Sequence, residues 1–338
     1  MLKNKIPSAV IYGCAGLSLS DEEKCFFNNT NPFGFILFSR NIATPIQVMK
    51  LVNELRNCVE HHAPILIDQE GGAVQRLKEP YWHLHHPMEI FGKMAEKDLS
   101  LARRATWLNA RIMANELSEL GINVNCAPVL DLKINDASNV IGNRSFGNDP
   151  VLVADLGRSA MEGLLDGTVI SIVKHTPGHG RALVDSHKEL PVVETNLKTL
   201  EQSDFLPFRS LRDAPWAMTA HIVYKAIDSK RPATISKIVI KQIIRDAIGC
   251  ESVLLSDDIS MKSLSGSFSE RAQNSLDAGC DIVLHCNGKI IEMQNMASAL
   301  RPLSDNAQIR LSRADSMLRN YQLPIDANIT LESWISKI

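Results

Sequence analysis

Eight short apolar runs recur along the chain with amphipathic segments between them, and this alternation constrains the fold more than any other feature. The runs lie at 8–12, 34–38, 64–68, 122–127, 169–174, 216–221, 252–256 and 281–285. They are short and rich in β-branched residues, as strands buried on both faces must be. Helical periodicity marks 44–59, 100–120, 151–165, 197–212, 236–248 and 269–278, several of them opened by Ser, Thr or Asn caps. Strand and helix alternating eight times predict an α/β (β/α)8 TIM-type barrel, irregular in its first strands, where the first link is short. A doubly wound open sheet is the weaker alternative, because no G-x-G-x-x-G follows the first run and nothing marks a switch point.

At 338 residues with 45% hydrophobic side chains, the chain is long enough for such a barrel. Without a Pro/Ser-rich linker, low-complexity tract or evident repeat, it reads as one domain over 1–338. A net charge of -2 gives no electrostatic case for nucleic acid or an anionic membrane. The seven cysteines are odd in number and scattered, without a C-x-x-C pair, which argues against a disulfide framework and for reduced cytoplasmic thiols. Lys3 and Lys5 before the apolar stretch 6–16 faintly imitate a signal peptide. Pro7 breaks that stretch and the helix start at Ser20-Asp21-Glu22-Glu23 follows it, so a first barrel strand is the better reading. No apolar run reaches the ~20 residues that a membrane-spanning helix needs.

Polar residues collect behind the predicted strands, and in a barrel those positions form one rim. Asp68, Gln69, Glu70 and Arg76 follow the third run; Asn125, Asp131 and Arg144 follow the fourth. Lys174, His175, His179, Asp185 and His187 follow the fifth, His221 the sixth, Asp257 and Asp258 the seventh, and His285 the eighth. Singly, each could cap a helix or tie a loop, and that is the expectation for Gln69, Asn125 and His285. The connections 70–99 and 130–148 are long for a compact barrel, which marks them as functional loops.

Two features suit acid/base and nucleophilic work. Asp185-Ser186-His187 sets a carboxylate two residues before an imidazole, where it can orient the ring and sustain its basicity. Asp257-Asp258 ends an apolar strand, so one carboxylate can cap the next helix while the other faces a substrate. A metal centre is not expected: His175 and His179 have helical ligand spacing, but Pro177 and Gly178 forbid the helix. The cluster His83, His85 and His86 reads as solvated or loosely packed.

These segments together resemble glycoside hydrolase family three, and within it the single-domain bacterial β-N-acetylglucosaminidases. The segment 34–41 is similar to the family's second-strand segment, and 67–76 matches its D-Q-E-G-G-x-V-Q-R run. Residues 125–131 and 141–147 follow in order; 174–180 resembles K-H-x-P-G-H-G, 185–187 D-S-H, and 256–261 S-D-D-x-S-M. The resemblance implies Asp257 as nucleophile with retention of configuration, and His187 as general acid/base partnered by Asp185. It implies Asp68, Arg76, Arg144, Lys174 and His175 as the groups holding an N-acetylglucosamine. Glu70, the carboxylate competitor for the acid/base role, is expected to be structural. Thr176 departs from the family, where an apolar residue is usual. Also implied are a cytoplasmic, cofactor-free enzyme, a monomer or weak oligomer, releasing N-acetylglucosamine from 1,6-anhydro-N-acetylmuramic acid muropeptides in peptidoglycan recycling. A family-three phosphorylase and a catalytically silent sugar-binding barrel are the alternatives.

Overall fold

In the computed structural model, which describes residues 6–134, 137–138 and 140–336, all eight expected runs are strands of a single closed parallel barrel. They are β1 (Ser8–Gly13), β2 (Pro32–Leu37), β3 (Ile65–Ile67), β4 (Val124–Asn125), β5 (Ile170–Thr176), β6 (Trp216–Thr219), β7 (Val253–Asp258) and β8 (Ile282–His285). Each pairs with its sequence neighbours, and β8 closes on β1 through Val10↔Val283 and Ile11↔Leu284. The early irregularity takes the form of a register shift between Ser8 and Ile11 on the β1–β2 ladder. The barrel is thinnest at the two-residue β4, whose ladder pairing extends over only Leu66↔Val124 and Ile67↔Asn125 on one side and Val124↔Ile170 and Asn125↔Ser171 on the other. Side chains take over there: the Asn125 amide accepts from the Gln69 N–H (3.0 Å) and donates to the Gln69 carbonyl (2.8 Å), extending the pairing past the ladder.

Helices follow most strands and have clear start signals. Thr44 caps Pro45–Asn57, Asp98 caps Leu99–Glu119, Asp149 caps Pro150–Asp166, and Ser267 closes a capping box on Phe268–Ala278. The helix expected over 197–212 is two short ones, Leu197–Gln202 and Leu206–Ser210. Pro207 has no N–H to give a helix interior but suits a first turn. The Ser203 hydroxyl caps the break from between two acceptors, the Thr199 carbonyl (2.7 Å) and Asp204 (2.7 Å), either of which can take its proton. That break exposes Asp204 to the loop behind β5, a placement that matters below. The segment 239–247 winds as a π-helix with Ile240, Ile243 and Ile244 turned inward.

The two long connections are packed structures. The first contains the helix Met88–Ala95, and the second a 3-10 turn, Gly142–Arg144; Asn135, Asp136 and Asn139 of the second lie outside the described residues. They meet at Gly92, where an added Cβ would stand 1.7 Å from the Phe146 carbonyl oxygen. Only a hydrogen fits, and the contact fixes the loop that carries Arg144. Gly92→Ala therefore forces two backbones apart and is expected to cost on the order of 2–3 kcal/mol. Urea unfolding of the variant beside the wild type checks this; an unchanged midpoint would show that the loops do not depend on the contact.

Candidate active site

The strand ends converge on a cavity of about 330 Å³ at the C-terminal rim, where (β/α)8 enzymes carry their chemistry. Its wall includes Asp68, Glu70, Arg76, Arg144, Lys174, His175, His187, Asp257 and Asp258. All of the expected site residues except Asp185 line it, and Asp185 is bonded to one that does.

One flank is a chain of alternating charges. Arg76 donates to Asp68 Oδ2 (3.1 Å), and Lys174 Nζ bridges Asp68 Oδ1 (3.0 Å) and Glu70 Oε1 (2.6 Å). Arg144 grips Glu70 with two parallel hydrogen bonds of 2.8 Å. Burial alone would push both carboxyls up, but Lys174 and Arg76 hold Asp68, and Arg144 and Lys174 hold Glu70, below the usual carboxylate range. In return burial, which would discharge the Lys174 ammonium, is overcome by Asp68 and Glu70. Glu70 is thus an ionised strut with both oxygens engaged by cations, which removes it from contention as a proton donor. Asp68 and Arg76 retain partial exposure to the cavity, so they can offer a paired acceptor and donor to sugar hydroxyls.

His175 owes its orientation to Asp131. Its Nδ1 lies 2.6 Å from Asp131 Oδ2, while the same carboxylate accepts the backbone N–H groups of His175 and His179. With Nδ1 committed, Nε2 is the ring nitrogen left for other contacts. Asp131 was visible in the sequence only as one rim carboxylate among several. Its partners lie more than forty positions away, and no local pattern records such a pairing.

The aspartate pair divides its labour. Asp258 accepts from the Ser260 N–H (2.9 Å), the Ser260 hydroxyl (2.6 Å) and the Cys286 N–H (3.1 Å), so its side chain shapes the turn after β7. Asp257 accepts only one described hydrogen bond, from the Asp258 N–H (2.7 Å), and faces the cavity. Burial opposes its charge, yet His221, His175, that N–H and His187 together keep its carboxyl below the usual range. It is an ionised group largely free of side-chain partners. His221 itself is spoken for, with Nδ1 on Thr234 Oγ1 (2.7 Å) and Nε2 on the Asp258 carbonyl (3.0 Å), and burial lowers its pKa.

Across the cavity, His187 Nδ1 sits 2.9 Å from Asp185 Oδ1, which also accepts the His187 N–H (2.9 Å). The His187 side chain is 68% exposed, which sets it apart from the buried flank opposite. Its loop is fixed at both ends. An added Cβ on Gly180 would lie 2.2 Å from the Leu132 carbonyl oxygen, Arg181 bonds Asp204 (2.7 Å), and the Pro191 carbonyl accepts the Val223 N–H (3.0 Å). Thr176 does fill an apolar niche: it is buried, and its hydroxyl has no partner among the described residues.

The remaining wall is made by Ile36, Phe38, Arg40, Val74, Met218, Met261, Leu284, Cys286 and Asn287, none of which the sequence singled out as site residues. The guanidinium groups of Arg40 and Arg76 both pack on the Phe38 ring, at 5.0 and 5.2 Å from its centre. The histidine cluster corrects the expectation for one member, His85, while His83 is exposed and His86 half-buried, as solvated side chains would be. His85 is buried and bonds Glu116 (2.9 Å), which also takes His83 Nδ1 (2.5 Å), while His86 reaches Glu332 (2.9 Å). A carboxylate at each ring explains histidines in a packed loop. Among the described residues no cluster of His, Cys, Asp and Glu has the geometry to hold a metal ion.

A (β/α)8 barrel whose rim sets a bare, ionised aspartate opposite an Asp–His pair is a glycosidase-like scaffold. Residues 9–316 match the Glycosyl hydrolase family 3 N terminal domain, and the chain belongs to that family. It is 40% identical over 283 residues to a Neisseria gonorrhoeae β-hexosaminidase, covering 82% of this chain and 78% of the relative. A β-hexosaminidase of Alkalilimnicola ehrlichii is 36% identical over 312 residues, covering 89% and 88%. Among solved structures, NagZ from Neisseria gonorrhoeae in complex with N-trifluoroacetyl-D-glucosamine superposes with a TM-score of 0.89, at 32% identity over 99% of both chains.

Glu70→Gln keeps the strut's shape and removes its charge. Breaking a buried pair in this way is expected to cost on the order of 3 kcal/mol near neutral pH. Because the folded carboxyl lies below its unfolded value, the stabilisation is complete above the ordinary Glu pKa of about 4.3 and fades as pH falls through the folded value. Urea unfolding at neutral and acid pH should show the gap between wild type and variant narrowing in acid; a constant gap would mean that the charge contributes nothing.

Proposed function

We propose that the protein is a retaining β-N-acetylglucosaminidase that removes a terminal, non-reducing β-linked N-acetylglucosamine. The observation that carries this reading is the contrast at the rim: Asp257, ionised and nearly unpartnered, shares a cavity with His187, exposed and paired to Asp185. In the first step the Asp257 carboxylate attacks the anomeric carbon as the His187 imidazolium gives its proton to the departing glycosidic oxygen. The C–O bond breaks and a glycosyl ester forms. In the second step the now neutral imidazole takes a proton from water, whose oxygen displaces Asp257 and restores the carboxylate and the acid. Asp185 accepts the Nδ1–H throughout, which directs Nε2 at the reacting oxygen and supports the cationic form.

The flank supports a sugar at this position. Asp68, Arg76, Arg144 and Lys174 present charged groups at fixed distances, to which hydroxyls bond more strongly than to neutral ones, and His175 adds a ring nitrogen held in place by Asp131. The choice of an N-acetylated sugar rests on kinship with the β-hexosaminidases and with the NagZ complex. By the same kinship the natural substrates are muropeptides carrying 1,6-anhydro-N-acetylmuramic acid, in cytoplasmic peptidoglycan recycling. All seven cysteines are free and no described helix is long and apolar enough to cross a membrane, both compatible with that setting.

The test is hydrolysis of an aryl β-N-acetylglucosaminide beside the matching β-glucoside, with and without phosphate. Turnover of the N-acetyl substrate alone, independent of phosphate, is expected, falling more than about 10³-fold in Asp257→Ala. Sugar 1-phosphate as product would make the protein a phosphorylase, and no turnover at all a silent sugar-binding barrel. His187→Ala is expected to lose about 10²–10⁴-fold on a disaccharide and far less on a dinitrophenyl glycoside, whose leaving group needs no proton. Equal losses would remove His187 from the acid/base role.

A further inference from the structure

Between Asp185 and His187, both reachable by solvent, Ser186 is buried. Its hydroxyl lies 3.1 Å from Nε2 of His179, a histidine 2% exposed that takes no part in the reaction as described. His179 is in turn pinned by its own N–H on Asp131 Oδ1 (2.6 Å), the carboxylate that orients His175. Burial and the neighbouring His175 depress the His179 pKa to about 4, so the ring is neutral at ordinary pH and keeps one bare nitrogen and one N–H. Either polarity suits a hydroxyl, which donates or accepts as required. Among the described residues the stretch that bears the Asp–His pair is otherwise tied toward its ends, by Arg181 on Asp204, by the Ala182 carbonyl accepting the Ser138 N–H (2.9 Å) and by the Pro191 carbonyl accepting the Val223 N–H.

We infer that the Ser186–His179 hydrogen bond is a latch that positions His187 over the cavity, making Ser186 a positioning residue for proton transfer and not for sugar binding. This rests on the acid/base reading of His187 given above. A buried hydrogen bond in the middle of a polar loop restricts the arrangements open to it. It acts on the residues flanking it: Asp185, Ser186 and His187 open one tight turn, in which the Asp185 carbonyl accepts the Lys188 and Glu189 N–H groups, so seating the Ser186 side chain inward fixes the orientation of the turn that carries Asp185 and His187. Through Asp131 the same latch shares a foundation with His175, so the donor is referenced to the wall that holds the sugar. A misplacement of about 1 Å in a catalytic group can cost about 10²-fold in rate.

The experiment compares wild type, Ser186→Ala, Ser186→Thr, His187→Ala and the double variant Ser186→Ala/His187→Ala on two N-acetylglucosaminides, one with a sugar and one with a dinitrophenolate leaving group. Ser186→Ala is expected to lower kcat about 10- to 100-fold on the poor leaving group, to change it little on the activated one, and to leave KM within about twofold. Ser186→Thr keeps the hydroxyl and should retain most of the rate. In the His187→Ala background the serine change should cost nothing more, since it acts through the missing imidazole. Equal loss on both substrates, a further loss in the double variant, or no loss from Ser186→Ala would each overturn the latch. Should His187→Ala itself show no dependence on leaving group, the acid/base reading falls and the latch with it. If His187→Ala shows that dependence and Ser186→Ala does not, the latch alone fails.

Discussion

The interaction on which the rest of the site depends is the buried chain of charges Arg76–Asp68–Lys174–Glu70–Arg144. Taking ionised groups out of water, almost wholly for Lys174 and Glu70 and partly for Arg144, Asp68 and Arg76, is costly, and no single pair repays the cost unless its remaining lone pairs and protons are satisfied. Here each internal member touches two opposite charges. The chain joins residues behind β3 to β5 and to the loop after β4, across the part of the barrel where backbone pairing is thinnest. Removing any internal member strands a neighbour, so the arrangement is held together as a unit and the residues that would grip a sugar are also those that hold this side of the barrel closed.

Opposed to this rigid flank is a side with far fewer constraints. Lys174 and Glu70 are almost wholly buried, whereas the His187 side chain is mostly exposed on a loop tied at its ends. A buried, fully paired flank facing an exposed imidazole would suit the reaction proposed above, in which one group gives a proton to a glycosidic oxygen and later takes one from water. The aspartate pair repeats the division on a smaller scale. Asp258 spends its oxygens on the turn that positions Asp257, and Asp257 spends none on other side chains.

The strands were legible because parallel strands buried on both faces must be continuous apolar runs, and their order followed from alternation with helices. The chemistry-bearing segments were legible because Pro177, Gly178 and Gly180 announce an irregular loop directly behind a strand. What escaped was everything decided by contact between distant residues. Asp131 could not be matched to His175, nor Glu116 to His83 and His85, because the partners are separated by tens of positions. The break inside 197–212 carried a signal in Pro207, but helical periodicity on both sides masked it. Phe38 and Met218 fell inside runs read as strands, because apolar side chains have the same composition whether they fill a barrel or face a ligand.

The helix Ala327–Ile335 lies on the outside of the barrel, yet it is sewn to the loop that shapes the rim. Arg104 stacks on Trp334, Asn328 bonds His83, and Glu332 meets His86. The His83 carbonyl accepts from Gln75, the immediate neighbour of Arg76. The anchoring of this outer helix and the placement of Arg76 therefore share one loop, through His83, His86 and Gln75.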